Sequence, residues 1–255
     1  ATVLYGKEVT VEELLPILME DRDFYENSGG GVTLSGGECL MQADFCTEIL
    51  KRLKGNGIHT AVDTCGFVSK ESLDKVVPYT DIFLYDVKAY DEDVHIKCTG
   101  VSNKQILKNL KYLNSIGKDI EIRIPYVPDY NDSQIEKIAC FLESFKSIKK
   151  IRVLPYHNYA GSKYEALNLP NSLPNRLPTD KEMQKAIFDT INSGKIDINS
   201  IINGATDAIK DSKFYINTEK FFINETNENN QIIEVLGTQI ESINPKLNIQ
   251  PAVVK

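Results

Sequence analysis

Residues Gly29 to Glu38 read Gly-Gly-Gly-Val-Thr-Leu-Ser-Gly-Gly-Glu, so a short apolar run stands between two groups of glycines. We interpret Gly31–Leu34 as a strand and Gly36-Gly37 as a turn that follows it. Glycines at this density are costly in backbone entropy unless another group must approach the main chain closely. Such a turn exposes backbone N–H and C=O groups that can hold a small charged ligand. The spacing by itself also fits an ordinary tight turn.

Outward from this motif, strand-like runs alternate with helix-like runs for most of the chain. The further predicted strands cover His59–Asp63, Asp81–Val87, Glu121–Val127 and Lys150–Leu154. Alternation of this kind predicts a parallel sheet with crossover helices, either as a barrel or as a doubly wound sheet. The fold class is therefore α/β.

The intervening segments carry helix signals. One apolar stripe at helical spacing, expected to end at Gly55 and Gly57, consists of Phe45, Ile49, Leu50 and Leu53. A second stripe consists of Ile135, Ile138, Ala139, Leu142 and Phe145. Residue pairs that fit a capping box at a helix start are Thr10 with Glu13, Ser102 with Gln105, and Thr179 with Glu182.

Polar side chains follow the predicted strands. In barrels and in doubly wound sheets alike, functional residues gather at the carboxyl ends of the strands. We therefore expect one shared site to be lined by Glu38, Asp63, Asp86, Lys88, Arg123 and His157. For each of these residues an ordinary structural role, such as a helix cap or a solvated charge, is the alternative.

Composition restricts the function classes. The 255 residues carry a net charge of −7 with no basic stripe, which argues against nucleic acid as a partner. No apolar run is long enough to cross a bilayer and no leader-like segment precedes the first helix, so a cytoplasmic location is expected. The five cysteines form no Cys-x2-Cys clip, so neither a disulfide framework nor a zinc site is predicted.

The motifs taken together resemble a known family. They are Gly29–Glu38 followed by Gln42 and Phe45, Asp63-Thr64-Cys65-Gly66, Asp86-Val87-Lys88, Gly100-Val101-Ser102-Asn103, Arg123, and Leu154-Pro155-Tyr156-His157. This series, from Lys7 to roughly Ser193, resembles pyruvate formate-lyase activase and its relatives, the glycyl-radical-enzyme activating enzymes of the radical S-adenosylmethionine (SAM) superfamily.

The resemblance implies a fold and a division into domains. Residues 1–193 are expected to form a partial TIM-like (β/α)6 barrel that lacks its first strand. Residues 194–255 are rich in Asn and Ile and lose the strand-then-helix rhythm. We expect them to form a small β-rich or irregular C-terminal extension whose role the sequence does not indicate.

The resemblance also implies a chemistry. In the family a [4Fe–4S] cluster holds SAM through its amino and carboxylate groups, and its electron releases a 5′-deoxyadenosyl radical that takes hydrogen from a glycine of a partner enzyme. The implied partners are a glycyl-radical enzyme, with its glycine-loop peptide, and flavodoxin or ferredoxin as electron donor.

Site residues follow from the same resemblance. The SAM-binding positions are Ser35, Gly36, Gly37, Glu38, Asp63, Asp86 and His157. A monovalent cation is expected at Asp63, Thr64 and Asp86. Lys88 and Arg123 are the candidate catalytic residues, because they can hold a carboxylate or a peptide carbonyl.

One family element is absent from the printed sequence. The Cys-x3-Cys-x2-Cys loop that binds the cluster does not occur, and the five cysteines are widely spaced. We expect the chain to be a fragment without cluster ligands that does not cleave SAM by itself. The alternatives are a non-catalytic module that binds SAM or a peptide, and an unrelated barrel enzyme using acid–base chemistry.

Overall fold

The computed structural model describes residues 7–157, 164, 174, 176–183 and 185–186. Five strands alternate with helices, as predicted. The strands are β1 (Gly31–Leu34), β2 (His59–Thr64), β3 (Ile82–Asp86), β4 (Asp119–Tyr126) and β5 (Ile148–Pro155). The helices are α1 (Val11–Met19), α2 (Arg22–Ser28), α3 (Ala43–Gly55), α4 (Lys70–Val76), α5 (Glu92–Thr99), α6 (Lys104–Ser115) and α7 (Ile135–Leu142). The proposed extension 194–255 lies outside the described residues, so the domain division stays a prediction.

The strands form one sheet in the order β1-β2-β3-β4-β5. β1 pairs with β2, and β2 with β3, in parallel, with Leu34 opposite Val62 and Asp63 opposite Leu84. The strand order follows the chain without reversal. A doubly wound sheet reverses its order at a switch point, so this order favours the barrel-type alternative.

The described chain divides into two compact units. The first comprises residues 7–86, 102–122 and 145–149, and the second comprises 87–101, 123–144 and the described residues from 150 onward. No helix among the described residues is long and apolar enough to cross a membrane.

In the first unit, one face of the sheet is covered and the other is less buried. Val32 of β1 packs with Ile49 and Leu53 of α3 in a buried cluster that α1 also contacts. Successive residues of a strand point to opposite faces. Thr33 and Asp63 therefore lie on the face opposite Val32, where Thr33 is exposed and Asp63 half-buried.

The apolar stripe Phe45–Leu53 lies on α3, which ends at Gly55 as expected. Thr10 and Glu13 form a complete capping box at α1. Thr179 and Glu182 form the same reciprocal pair, with the Glu182 amide donating to Thr179 Oγ1 at 3.3 Å and the Thr179 amide to Glu182 Oε2 at 2.7 Å. These predictions are confirmed.

The third predicted capping box is wrong. α6 begins after Asn103, and Ser102 Oγ accepts from the Lys104 amide, two residues on instead of three. Gln105 Nε2 donates instead to Oδ1 of the buried Asn109 at 3.0 Å. The Gln105 side chain therefore bonds to Asn109, one turn further along α6, and does not cap the start of the helix.

Candidate functional site

The carboxylate of Glu38 is the centre of a hydrogen-bond network at the carboxyl ends of β1 and β2. It accepts from the Leu40 amide at 3.2 Å, and the Thr64 hydroxyl lies 2.9 Å from each of its oxygens. The Cys65 amide and thiol donate to Oε2 at 2.9 and 3.1 Å. Glu38 therefore joins the loop after β1 to the loop after β2, which the sequence motifs do not indicate.

Asp63 lies beside this network on the less covered face of the sheet. Ser35 Oγ donates to Asp63 Oδ2 at 2.9 Å. Asp63 is in register with Leu84, so Asp86, two residues further along β3, points to the same face as Asp63. The structure thus brings Ser35 to Asp63 and Thr64 to Glu38, and it places Asp86 on the face of Asp63, whereas the Thr64 side chain points to the opposite face.

The turn Gly36-Gly37 borders open space. Gly36 has a φ of 144°, a backbone conformation that side-chain-bearing residues rarely adopt. A Cβ placed on Gly36 or on Gly37 would meet no atom within 4 Å. The turn therefore has room for a ligand, and it directly precedes Glu38 in the chain.

In the next loop, Cys65-Gly66-Phe67-Val68, the glycine is enclosed instead of open. Gly66 has a φ of 72°, and a Cβ built on it would stand 1.7 Å from the hydroxyl oxygen of Tyr85. That hydroxyl is buried and donates to the Ile106 carbonyl at 2.7 Å. Burial raises the pKa of Tyr85 well above its usual value, so the phenol stays neutral.

The thiols nearby are hydrogen-bond donors. Cys39 Sγ donates to the Asp63 carbonyl at 3.4 Å, and Cys46 Sγ donates to the Cys39 carbonyl at 3.2 Å. The hydrogen bond with Cys46, burial and the negative charge of Glu38 raise the pKa of Cys39. A metal ligand must be a thiolate, and Cys39 is held as a thiol.

Lys88, Arg123 and His157 belong to the second unit. The Val87 amide donates to the Arg123 carbonyl at 2.9 Å, so the main chains at Lys88 and Arg123 run side by side. His157 is exposed, directly after β5. Convergence of these residues with Asp63 and Glu38 on one shared site stays a prediction.

Two buried carboxamides hold the loop that contains Lys88. Asn131 Nδ2 donates to the Lys88 carbonyl at 2.8 Å, and its Oδ1 accepts from the Val127 amide at 2.7 Å. Gln134 Oε1 accepts from the Asp91 amide at 2.9 Å. Asn and Gln in a polar segment carry no distinctive sequence signal, so these contacts could not be predicted.

His95 has a structural role. It is buried, and its Nδ1 lies 2.8 Å from the Val101 carbonyl and 3.0 Å from Thr99 Oγ1. Burial lowers the pKa of His95, and the positive charge of Lys88 acts in the same direction. The folded protein therefore favours the neutral ring.

This burial predicts a pH-dependent stability. The unfolded chain binds a proton at His95 as the pH falls through about 6.5, whereas the folded protein does so only at lower pH. The stability that the neutral, buried His95 contributes is therefore fully present above about pH 6.5 and is lost as the pH falls below it. We expect the His95→Asn variant, whose amide can replace Nδ1, to lose less stability than the parent between about pH 7.5 and 5.5. Urea unfolding at these pH values measures it, and parallel curves for both proteins would contradict it.

Comparison with known proteins gives the family. The radical SAM superfamily model matches residues 2–142. A pyruvate formate-lyase-activating enzyme of Clostridium pasteurianum is 39% identical over 184 residues, which are 71% of this chain and 77% of that protein. The chain belongs to the glycyl-radical-enzyme activating enzymes. This membership excludes the alternative of an unrelated barrel enzyme.

Other activating-enzyme relatives extend the comparison. A trans-4-hydroxy-L-proline dehydratase activating enzyme of Clostridioides difficile is 44% identical over 172 residues, which are 66% of this chain. The matched part of the chain spans 57% of the length of that relative. A crystal structure of a domain of pyruvate-formate lyase-activating enzyme from Bacteroides vulgatus ATCC 8482 shares 32% identity and a TM-score of 0.55, over 64% of this chain and 94% of that chain.

The family implies two cofactors, SAM and a [4Fe–4S] cluster. The residues of this chain suit the first and not the second. SAM fits, because the Gly36-Gly37 turn has open space and the preceding Ser35 contacts the Asp63 carboxylate, which suits a cationic ligand. The iron–sulfur cluster does not fit the cysteines present. Among the described residues, no three His, Cys, Asp or Glu side chains are arranged to hold a metal.

Proposed function

We propose that this chain is part of an activating enzyme that uses SAM to generate a glycyl radical on a partner enzyme, and that SAM binds at the turn Ser35–Glu38. The observation that supports the site most directly is the open space at Gly36 and Gly37, directly after Ser35, whose hydroxyl donates to the Asp63 carboxylate. A zwitterionic ligand with a positive ammonium and sulfonium suits backbone carbonyls and acidic side chains in such a place.

The other predicted residues have complementary roles in this proposal. Lys88 and Arg123 supply positive charge for the SAM carboxylate or for a carbonyl of the partner's glycine loop. His157 contacts the adenosyl portion of SAM or the incoming peptide. Asp63, Thr64 and Asp86 hold a monovalent cation, which offsets the repulsion between the two aspartates and the SAM carboxylate.

The cluster is proposed to be held outside these 255 residues. A reduced [4Fe–4S] cluster supplies the electron for SAM cleavage, and it requires thiolates that the five cysteines do not provide as arranged. We infer that the chain alone binds SAM weakly and does not cleave it. Flavodoxin or ferredoxin as electron donor, and a cytoplasmic location, belong to the same proposal.

The proposal includes the finer fold. The five strands correspond to all but the first strand of a (β/α)6 partial barrel over residues 1–193. The order of the strands along the chain supports this assignment. Residues 194–255 are proposed as an extension that is separate from the barrel.

The SAM site is tested by filling the open space. In Gly37→Leu the added Cβ meets no atom within 4 Å, and Gly37 has no left-handed φ, so we expect the fold to tolerate the substitution. We expect calorimetric titration with SAM to show at least an about tenfold loss of affinity, or about 1.4 kcal/mol. Gly55→Leu, at the end of α3 and equally unobstructed, is the matched control and should leave the affinity unchanged.

Two outcomes decide between activating enzyme and binding module. Joined to a segment that carries a Cys-x3-Cys-x2-Cys loop and reconstituted with iron and sulfide, the chain should convert SAM to 5′-deoxyadenosine under reducing, oxygen-free conditions. SAM binding without such conversion would favour a non-catalytic module. Equal SAM affinity for the parent and Gly37→Leu would contradict the proposed site.

A further inference from the structure

Asn109 is a buried polar residue of α6 with no role in the proposed SAM contacts. Its side chain is 1% exposed. Nδ2 donates to the carbonyls of Gly66 and Val68, each at 2.9 Å. Oδ1 accepts from Gln105 Nε2 at 3.0 Å, so every polar atom of the side chain has a partner. A buried amide with this many partners has little freedom to change orientation.

The loop that Asn109 holds is the loop that holds Glu38. The Cys65 amide, adjacent to Gly66, donates to Glu38 Oε2 at 2.9 Å. The Gly66 amide donates to Thr64 Oγ1 at 2.9 Å, and that hydroxyl lies equally close to the Glu38 carboxylate. A continuous series of hydrogen bonds therefore connects Asn109 to Glu38.

Sterics restrict the same loop from the other side. The left-handed backbone of Gly66 packs on the Tyr85 hydroxyl, and that hydroxyl is fixed by its bond to the Ile106 carbonyl of α6. α6 thus contacts the loop through Asn109 directly and through Tyr85 indirectly. The loop has one arrangement that satisfies both contacts.

We propose that Asn109 is a positioning residue for the SAM-binding turn. It orients the Cys65–Val68 loop so that the Cys65 amide and the Thr64 hydroxyl keep the Glu38 carboxylate, and with it the adjacent Gly37, in the geometry that receives SAM. The inference rests on the proposed function for its ligand, and on the hydrogen bonds above for its geometry.

The chain offers a matched control on the same helix. Asn114 Oδ1 accepts from the amides of Lys146 and Ser147, at 2.9 and 3.1 Å. Asn109 and Asn114 each fix a loop of the first unit through two backbone hydrogen bonds. If Asn109 contributed only to overall stability, the Asn109→Ala and Asn114→Ala variants would have the same SAM affinity at a temperature where both are folded.

The test measures two properties of both variants at a temperature where each is folded. Amide hydrogen exchange without SAM reports the opening of the loop. We expect Asn109→Ala, and not Asn114→Ala, to accelerate exchange at Cys65 and Gly66 by about tenfold or more. Calorimetry should show that Asn109→Ala weakens SAM binding by about fivefold or more while Asn114→Ala does not. If Asn109→Ala does not fold, Gln105→Ala is the second variant, because it removes only the hydrogen bond from Gln105 to Asn109. It should also accelerate amide exchange at Cys65 and Gly66 and weaken SAM binding.

The results separate the inference from the proposed function. Unchanged exchange at Cys65 and Gly66, or equal effects of the two variants on SAM affinity, would overturn the positioning role. A parent chain that binds no SAM contradicts the proposed function. Even without SAM binding, faster amide exchange at Cys65 and Gly66 in Asn109→Ala but not in Asn114→Ala would support the role of Asn109 in positioning the loop. Unchanged exchange in Asn109→Ala would overturn that role.

Discussion

A Gly66→Ala substitution is expected to lower the free energy of unfolding by about 3 kcal/mol or more. The added Cβ would lie 1.7 Å from the Tyr85 hydroxyl oxygen and 2.2 Å from its ring carbon, far inside contact distance. The Tyr85 side chain cannot easily move away, because it is fully buried and bonded to Ile106. The left-handed φ of 72° adds backbone strain.

Gly57→Ala isolates the backbone part of this effect. Gly57 has a φ of 76°, and a Cβ there would meet no atom within 4 Å. We expect it to cost about 1 kcal/mol, which is the strain of a left-handed alanine. Urea unfolding of both variants measures the difference. Equal losses would show that the Tyr85 packing does not restrict the loop.

A Glu38→Gln substitution is expected to destabilise the protein by about 2 to 4 kcal/mol even without SAM. The carboxylate accepts from the Leu40 and Cys65 amides and from the Thr64 hydroxyl. In glutamine one oxygen becomes an NH2 group, which can only donate and which faces donors. Whichever oxygen is replaced, one backbone amide, that of Leu40 at Oε1 or that of Cys65 at Oε2, loses its acceptor.

Glu48→Gln is the matched control for this prediction. Glu48 is an acceptor for Arg52 Nε at 2.6 Å on the surface of α3, where both side chains are about half exposed. Its replacement should change the unfolding midpoint little. If Glu38→Gln were as mild as Glu48→Gln, Glu38 would not hold the two loops together.

The predicted elements depended on local patterns. The strand at Gly31–Leu34 has the predicted bounds, and the helix with the Phe45–Leu53 stripe ends at Gly55 as expected. Residue spacing and glycine positions carry this information because periodicity and backbone conformation are properties of neighbouring residues. The capping box at Thr10 and Glu13 is of the same kind, since both partners lie within one turn.

Prediction failed where a side chain has a competing partner, and it was silent where the partner is distant in sequence. Ser102 and Gln105 fit a capping box by spacing, but Gln105 donates to Asn109, which in turn binds Gly66 and Val68. The spacing of a motif does not include such competing partners. A residue 43 positions away becomes a neighbour only when the sheet and α6 are assembled.

The motif Gly29–Glu38 shows both contributions. From the residues alone, the strand, the following turn and the family resemblance could be read, because glycine backbone freedom and strand patterning are local. That Gly36 and Gly37 border open space while Glu38 binds the loop after β2 depends on the packing of two parallel strands and α6. Hydrogen bonds and steric exclusion act between groups that the chain brings together only on folding, so no local pattern contains them.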